Sequence, residues 1–371
     1  MGLQFFFALI VLRTRIGHEF FYWVGRGAER LIGFTEAGSR FVFGDLMLVE
    51  KIGFIVAFQV LPVIVFFSSL SAILYHLGVL QWLVGMMARL FSRTLGVSGT
   101  EALSVAANVF VGMVEAPILV RPYIEKMTES ELFCVMSAGM ATIAGSVMAA
   151  YIGILQPHFP QVAGHILSAS LMSAPAAIVI AKIMIPETET PLTAGKVHLS
   201  HETQDVNFID AAARGAIDGA QLAISIAAVL IAFIALVAMV NGFFGLFGTT
   251  FETILGWLFA PIAFLMGIPW KEAVQVGSLL GQKTVLNELV AYLNLANGLA
   301  SGEITLSGRS LTIATYALCG FANFGSLGIM IAGIGGMAPS RRHDLARLGI
   351  RAIISGSLAA FLTATIAGVL V

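Results

Sequence analysis

Two glutamates stand in otherwise apolar stretches: Glu115 within ANVFVGMVEAPILVRPYI (107–124) and Glu288 within GQKTVLNE (281–288). A carboxylate inside a bilayer costs several kcal/mol and by default faces a cavity, where it marks a functional site. Each glutamate has a plainer alternative, a structural ion pair of Glu115 with Arg121 or of Glu288 with Lys283. Glu101 and Glu272 stand where the same two segments begin and suit a helix N-terminus. No nucleophile elbow, His-Glu metal motif or paired aspartate accompanies the glutamates, which disfavours an intramembrane acid–base enzyme.

The elements that position these residues are membrane helices. Of 371 residues, 58% are hydrophobic and 11% charged, against about 25% charged in a soluble domain. The mean hydropathy of +0.93 comes from many long runs, so the mass of the chain sits in the bilayer. A net charge of -1, without interleaved basic and aromatic residues, excludes nucleic-acid binding. Cys134 and Cys319 lie in apolar runs without metal-ligand spacing and read as packing residues. His18, His198, His201 and His343 fall in polar segments, and His76, His158 and His165 near span ends.

Runs at roughly 52–80, 131–155, 161–184, 219–247, 309–335 and 348–371 reach the spanning length of about 20 residues. The regions 101–126 and 270–299 are interrupted midway, leaving halves of about a dozen residues, too short to cross. Two such halves joined at membrane depth form a re-entrant hairpin, tolerable where protein or a water-filled cavity satisfies the tip. Leu3 to Leu12 reads as the end of a membrane helix whose start is missing, and 16–40, with Phe20, Phe21, Trp23 and Leu31, as an amphipathic interfacial helix. The four arginines of 340–351 place that loop in the cytoplasm by the positive-inside rule. Counting back puts Arg13, Arg15, Arg26, Arg30 and Arg40 outside, a conflict decided for the short C-terminal loop.

LGVSGTEALSV (95–105) and MGIPWKEAVQV (266–276) repeat one pattern at a spacing of 171 residues. After each come a glutamate-bearing hairpin and a span broken by small and polar residues, TIAGS (142–146) and GFANFGS (320–326). Matched short segments in two halves point to a secondary transporter's binding site, although Gly and Ser also permit close helix packing. The expected fold is an all-α polytopic membrane protein, an inverted repeat with two re-entrant helical hairpins and two broken transmembrane helices. Its expected parts are scaffold helices over 1–80, a first transport repeat over 81–184, a polar loop over 185–206, a scaffold helix over 207–250 and a second transport repeat over 251–371.

ANVFVGMVEAPILVRPYI, GQKTVLNELVAY (281–292) and CGFANFGSLGIMIAGIGGMAP (319–339) resemble, in order, the first hairpin, second hairpin and seventh span of the concentrative nucleoside transporters, in their bacterial, N-terminally short form. The resemblance runs from about Leu48 to the C-terminus. It implies hairpins entering from opposite faces, a homotrimer, a bacterial inner membrane, and nucleoside import driven by sodium or, in some members, protons. By the same resemblance Glu288 accepts hydrogen bonds from the ribose hydroxyls, with Asn323 and Ser326 completing the polar shell and Phe321 packing on sugar or base. An ionised carboxylate is a pure acceptor with room for two vicinal hydroxyls.

Glu115 and Val147 fall where the family meets the nucleobase, but Met113 and Val114 replace two polar residues of the family's Gly-Gln-[Thr/Ser/Asn]-Glu tip. Relaxed or altered base preference is the expectation, because hydrogen-bonding groups discriminate most strongly between analogues. Asn108, Thr142 and the backbone carbonyls of Val111 and Ile143 match the family's sodium site, and oxygen ligands suit a hard cation. Asn108 as a cap of the hairpin tip is the structural alternative. No organic cofactor is implied. The competing functions are a permease for a nucleobase, modified nucleoside or other polar solute, a channel, and the enzyme already disfavoured.

Overall fold

The computed structural model describes residues 2–48, 51, 53, 55–194 and 205–371. The chain opens with α1 (Gly2–Arg13) and α2 (Arg15–Phe43), joined at Thr14, whose side chain caps α2. One face of α2 packs on α10 (Val162–Met184), while Phe20, Tyr22, Trp23, Phe34 and Phe41 remain exposed, as suits the amphipathic helix expected there. Then come α3 (Val56–His76), α4 (Val79–Leu95), α5 (Gly99–Asn108), and two single turns, α6 (Glu115–Ile118) and α7 (Arg121–Ile124). The broken span expected at 142–146 is α8 (Glu129–Ala141) and α9 (Gly145–Leu155).

Beyond α10 lies the polar stretch expected at 185–206, of which 195–204 fall outside the described residues. The second half runs α11 (Phe208–Phe244), α12 (Phe251–Leu265), α13 (Trp270–Val285), α14 (Glu288–Ser301), α15 (Gly308–Leu318), α16 (Phe324–Met337) and α17 (Arg342–Leu370). The order of α4 to α10 thus recurs in α12 to α17: a helix, a two-armed hairpin, a broken helix and an unbroken one. Among the described residues five helices are long and apolar enough to cross a membrane, α8 and α9 taken as one, and six if α12 and α13, bent by 117°, count together.

Three expectations shift. The apolar 251–265 is a helix of its own, too short at 15 residues to register as a span. The run at 219–247 begins at Phe208, where Arg214 is neutralised by Asp218 on the same helix and by Asp205 just before it. The arginine-rich 340–351 is not a loop but mostly the first turns of α17.

Helix starts follow from their caps. Ser98 and Glu101 form a reciprocal capping box at α5, and Thr128 and Glu131 another at α8. Glu101 also meets Lys182 at 2.6 Å, and Glu272, in the first turn of α13, accepts from Ser307 at 3.2 Å. These two glutamates are structural, as expected. The core is built from α8, α10, α15 and α17, and the window through α8 and α9 is 94% buried. By contrast α3 and α11 pack on each other at the periphery, the most apolar 18 residues of each being 28% and 17% buried.

Candidate functional site

The two helix breaks meet at the centre. Gly320 has φ +153, and a Cβ there would stand 3.0 Å from the carbonyl oxygens of both Met140 and Ala141. Phe321 N–H, which would continue the ladder of α15, instead donates to the Thr142 carbonyl at 3.3 Å. The first hairpin's tip joins the same junction, since Gly145 N–H donates to the Phe110 carbonyl at 3.1 Å.

Around this junction lies a cavity of about 390 Å³, walled on its far side by α3 and α11. It is lined by Met113, Val114, Glu115, Val147, Glu288, Phe321, Asn323 and Ser326, all eight expected substrate-site residues. Glu288 is the first residue of α14, placed there by Asn287, whose side chain caps the helix through Val290 N–H at 2.9 Å. Its carboxylate takes Tyr151 Oη–H on Oε1 at 2.6 Å and Asn323 Nδ2–H on Oε2 at 2.8 Å. Asn323 works twice, because its Oδ1 caps α16 through Ser326 N–H at 2.8 Å, which fixes which end of the amide faces the glutamate. The carboxylate therefore lies at the positive ends of two helices, with lone pairs left for further donors.

The ion-pair alternatives do not occur among the described residues. Lys283 donates to the Ala317 carbonyl at 2.8 Å, and Glu115 has no cationic partner. Glu115 is exposed to the cavity although protein crowds it, and its carboxylate folds back over the tip, 2.1 Å from where a Cβ on Gly112 would sit. Met113 and Val114 occupy apolar seats: a Cβ on Gly139 would meet Met113 at 3.1 Å, and one on Gly333 would meet Val114 at 2.6 Å.

The residues expected to hold a cation also converge. Thr142 Oγ1 is 3.1 Å from the Asn108 carbonyl and 3.0 Å from that of Ala138. The Val111 and Ile143 carbonyls accept no backbone N–H, and the buried Asn108 amide enters none of the side-chain hydrogen bonds among the described residues. Freed carbonyls, an amide oxygen and a hydroxyl fit a hard monovalent ion, whereas no group of three or more His, Cys, Asp or Glu gathers among the described residues.

Sequence reasoning missed Tyr151, which reads as one more apolar residue of a long run; its signal was a phenol two turns past the TIAGS break. It also missed the far wall, where Ser68, Tyr75, Arg214 and Asp218 of α3 and α11 line the cavity.

Comparison with known proteins bears on what this cavity holds. Residues 165–368 match the family description "Na+ dependent nucleoside transporter C-terminus", 57–158 match "Nucleoside recognition", and 1–46 match "Na+ dependent nucleoside transporter N-terminus". The family likeness thus begins well before Leu48. The chain is 45% identical over 378 residues to the uncharacterized transporter YutK of Bacillus subtilis, covering 99% of this chain and 91% of that protein. It is 44% identical to solute carrier family 28 member 3 of the mouse, and spans 54% of that longer relative. The solved structure of CNTnw in an inward-facing substrate-bound state superposes with a TM-score of 0.93 at 44% identity, covering 100% of this chain and 89% of that one. These relatives are transporters, not enzymes. With three successive family descriptions matched along its length and a cavity lined by both of its broken helices, this membrane-embedded chain belongs to the Na+-dependent nucleoside transporter family.

Proposed function

We propose that the protein imports nucleosides across a bacterial inner membrane, coupled to sodium, by alternating access of an inverted-repeat transport domain with two re-entrant hairpins. The single observation that carries this is Glu288, on the cavity wall, with each carboxylate oxygen already oriented by a neighbour. Ribose hydroxyls donate to its remaining lone pairs, while Asn323 and Ser326 complete the polar shell. Phe321 packs on the sugar or base, and Glu115 and Val147 face the base beside apolar Met113 and Val114, which favours relaxed base preference.

Sodium is held by Asn108, Thr142 and the Val111 and Ile143 carbonyls, so that its binding joins the hairpin tip to the helix break before the loaded domain moves. The transport repeats are 81–184 and 251–371, set against scaffold helices in a homotrimer.

Labelled uridine and adenosine uptake into proteoliposomes, with a sodium gradient, a proton gradient or neither, tests the reading. Glu288→Gln should abolish uptake, and near-normal transport by that variant would remove the ribose assignment. Thr142→Ala should weaken the sodium response by roughly tenfold in concentration, about 1.4 kcal/mol, as expected for a lost oxygen ligand. An unchanged response would move the cation elsewhere.

A further inference from the structure

The walls of the cavity carry an unbalanced charge. Glu115, Asp205, Asp218 and Glu288 all line it, against one cationic side chain among the described residues, Arg214. Arg214 is already committed, because Asp205 takes its Nε–H and Nη2–H at 2.6 and 2.8 Å and Asp218 its Nη1–H at 3.1 Å. Glu288 is oriented by two neutral donors, Tyr151 and Asn323, and Glu115 enters no ion pair among the described residues. Lys283 lies outside the lining, with its ammonium on the Ala317 carbonyl. Such a lining repels an anionic solute and attracts a cationic one, more strongly than the same charges would in bulk water.

The end of the cavity assigned to the base adds a second constraint. Beside Glu115 the residues there are Met113, Val114 and Val147, so the tip offers a carboxylate acceptor and apolar surface but no side-chain donor. A neutral base carries donors and acceptors together on its pairing edge, and an acceptor laid against these residues loses its partner in water without gaining another. Methylation of a ring nitrogen on that edge changes both terms. The acceptor becomes a methyl group suited to Met113 and Val114, and the base becomes a cation whose exocyclic amino group donates to Glu115 in a charge-assisted hydrogen bond. Phe321, packed on sugar or base, also attracts a cation more than a neutral ring.

We propose that the preferred substrates are nucleosides whose base is made cationic by methylation of a ring nitrogen, recognised by the Glu115 carboxylate together with the apolar Met113 and Val114. This rests on the nucleoside reading given above and names the substrate class for the same cavity.

Calorimetric titration of ligands into the purified full-length protein in nanodiscs, in sodium buffer, tests it. Binding is measured rather than uptake, because a membrane potential drives any cation inward. Four ligands separate methyl from charge: uridine, cytidine, neutral N3-methyluridine and cationic N3-methylcytidine. N3-methylcytidine should bind roughly tenfold more tightly than cytidine, while N3-methyluridine, which gains the methyl but loses its donor to Glu115, should bind more weakly than uridine. Glu115→Gln, which keeps the shape and removes the charge, should bring N3-methylcytidine and cytidine to within about threefold of each other. Binding of N3-methylcytidine to wild type no tighter than that of cytidine, N3-methyluridine matching N3-methylcytidine, or a preference that survives Glu115→Gln would each overturn the proposal. The wild-type comparison decides even if the variant does not fold. If none of the four ligands binds, the nucleoside reading fails as well; if uridine and cytidine bind and N3-methylcytidine does not, only the cationic preference falls.

Discussion

Glu288 is held by groups from two other elements, and its position in the chain explains little of its behaviour without them. Tyr151 is the more informative partner, because its ring packs on Tyr292, tilted by 31° with centroids 4.7 Å apart, while its hydroxyl reaches the carboxylate. Tyr151→Phe keeps the ring contact and deletes one hydrogen bond to a charged group, worth about 1.5–3 kcal/mol. The half-saturating nucleoside concentration for uptake should rise roughly tenfold or more, and the melting temperature should fall by a few degrees; an unchanged half-saturating value would reduce the tyrosine to packing. Both glutamates were legible in the sequence because a charge in an apolar run has few explanations. Tyr151 was not, since a tyrosine in such a run fits a core equally well, and only its distance to Glu288 separates the roles.

At the scale of elements, what matters is that two interrupted helices cross at their interruptions. Gly320 permits the crossing twice over, by its positive φ and by leaving room for two carbonyls of α8. Gly320→Ala should cost about 1–3 kcal/mol from backbone strain alone. Gly328→Ala, in open space on α16, should be neutral or slightly stabilising. Comparing the two melting temperatures checks this, and equal values would mean that the crossing can relax. Sequence showed both breaks because small and polar residues cluster there, and their repetition showed that they form a pair. It did not show that the second arm of the first hairpin is two single turns, whose cause is local: Pro117 and Pro122 each remove a helical donor within a few residues. Nor could hydropathy find α12, whose length falls below a span.

Across the whole molecule, the cavity is a boundary between a buried core carrying the breaks and the peripheral pair α3 and α11. That pair is tightly seated, since a Cβ on Gly215 would approach Ala72 to 2.6 Å and one on Gly219 would approach Ser68 to 2.7 Å. Just before α11, Asp205 accepts from Arg214 at 2.6 and 2.8 Å, and this hydrogen bonding holds its carboxyl below the usual carboxylate range. A folded-state value below the unfolded one, about 3.9, gives stability that is full above that pH and is lost as pH falls through the folded value. Asp205→Asn should therefore lower the melting temperature modestly at neutral pH and flatten its decline below about pH 4. An acid limb identical to wild type would assign that decline to other carboxylates. Hydropathy carried a trace of the division between core and periphery, since in mean hydropathy α11 at 2.9 is more apolar than α10 at 1.8, but α3 at 2.1 and the α17 span at 2.0 are alike, and only the packing separates those two.

The length of α11 carries a mechanical consequence. With the 3-10 turn that follows it, α11 runs Phe208–Phe247, 40 residues, of which the most apolar 18 are 17% buried, and its apolar part from Gly219 onward measures about 40 Å along the axis. That exceeds a hydrocarbon layer of about 30 Å, a mismatch met by tilt, by kinking or by local thickening of the bilayer. Arg214, Asp218 and Leu222 on this helix form one wall of the cavity. One wall of the cavity is thus carried by a helix longer than the hydrocarbon layer, and comparing activity in vesicles of thin and thick lipids tests whether that mismatch is felt at the cavity.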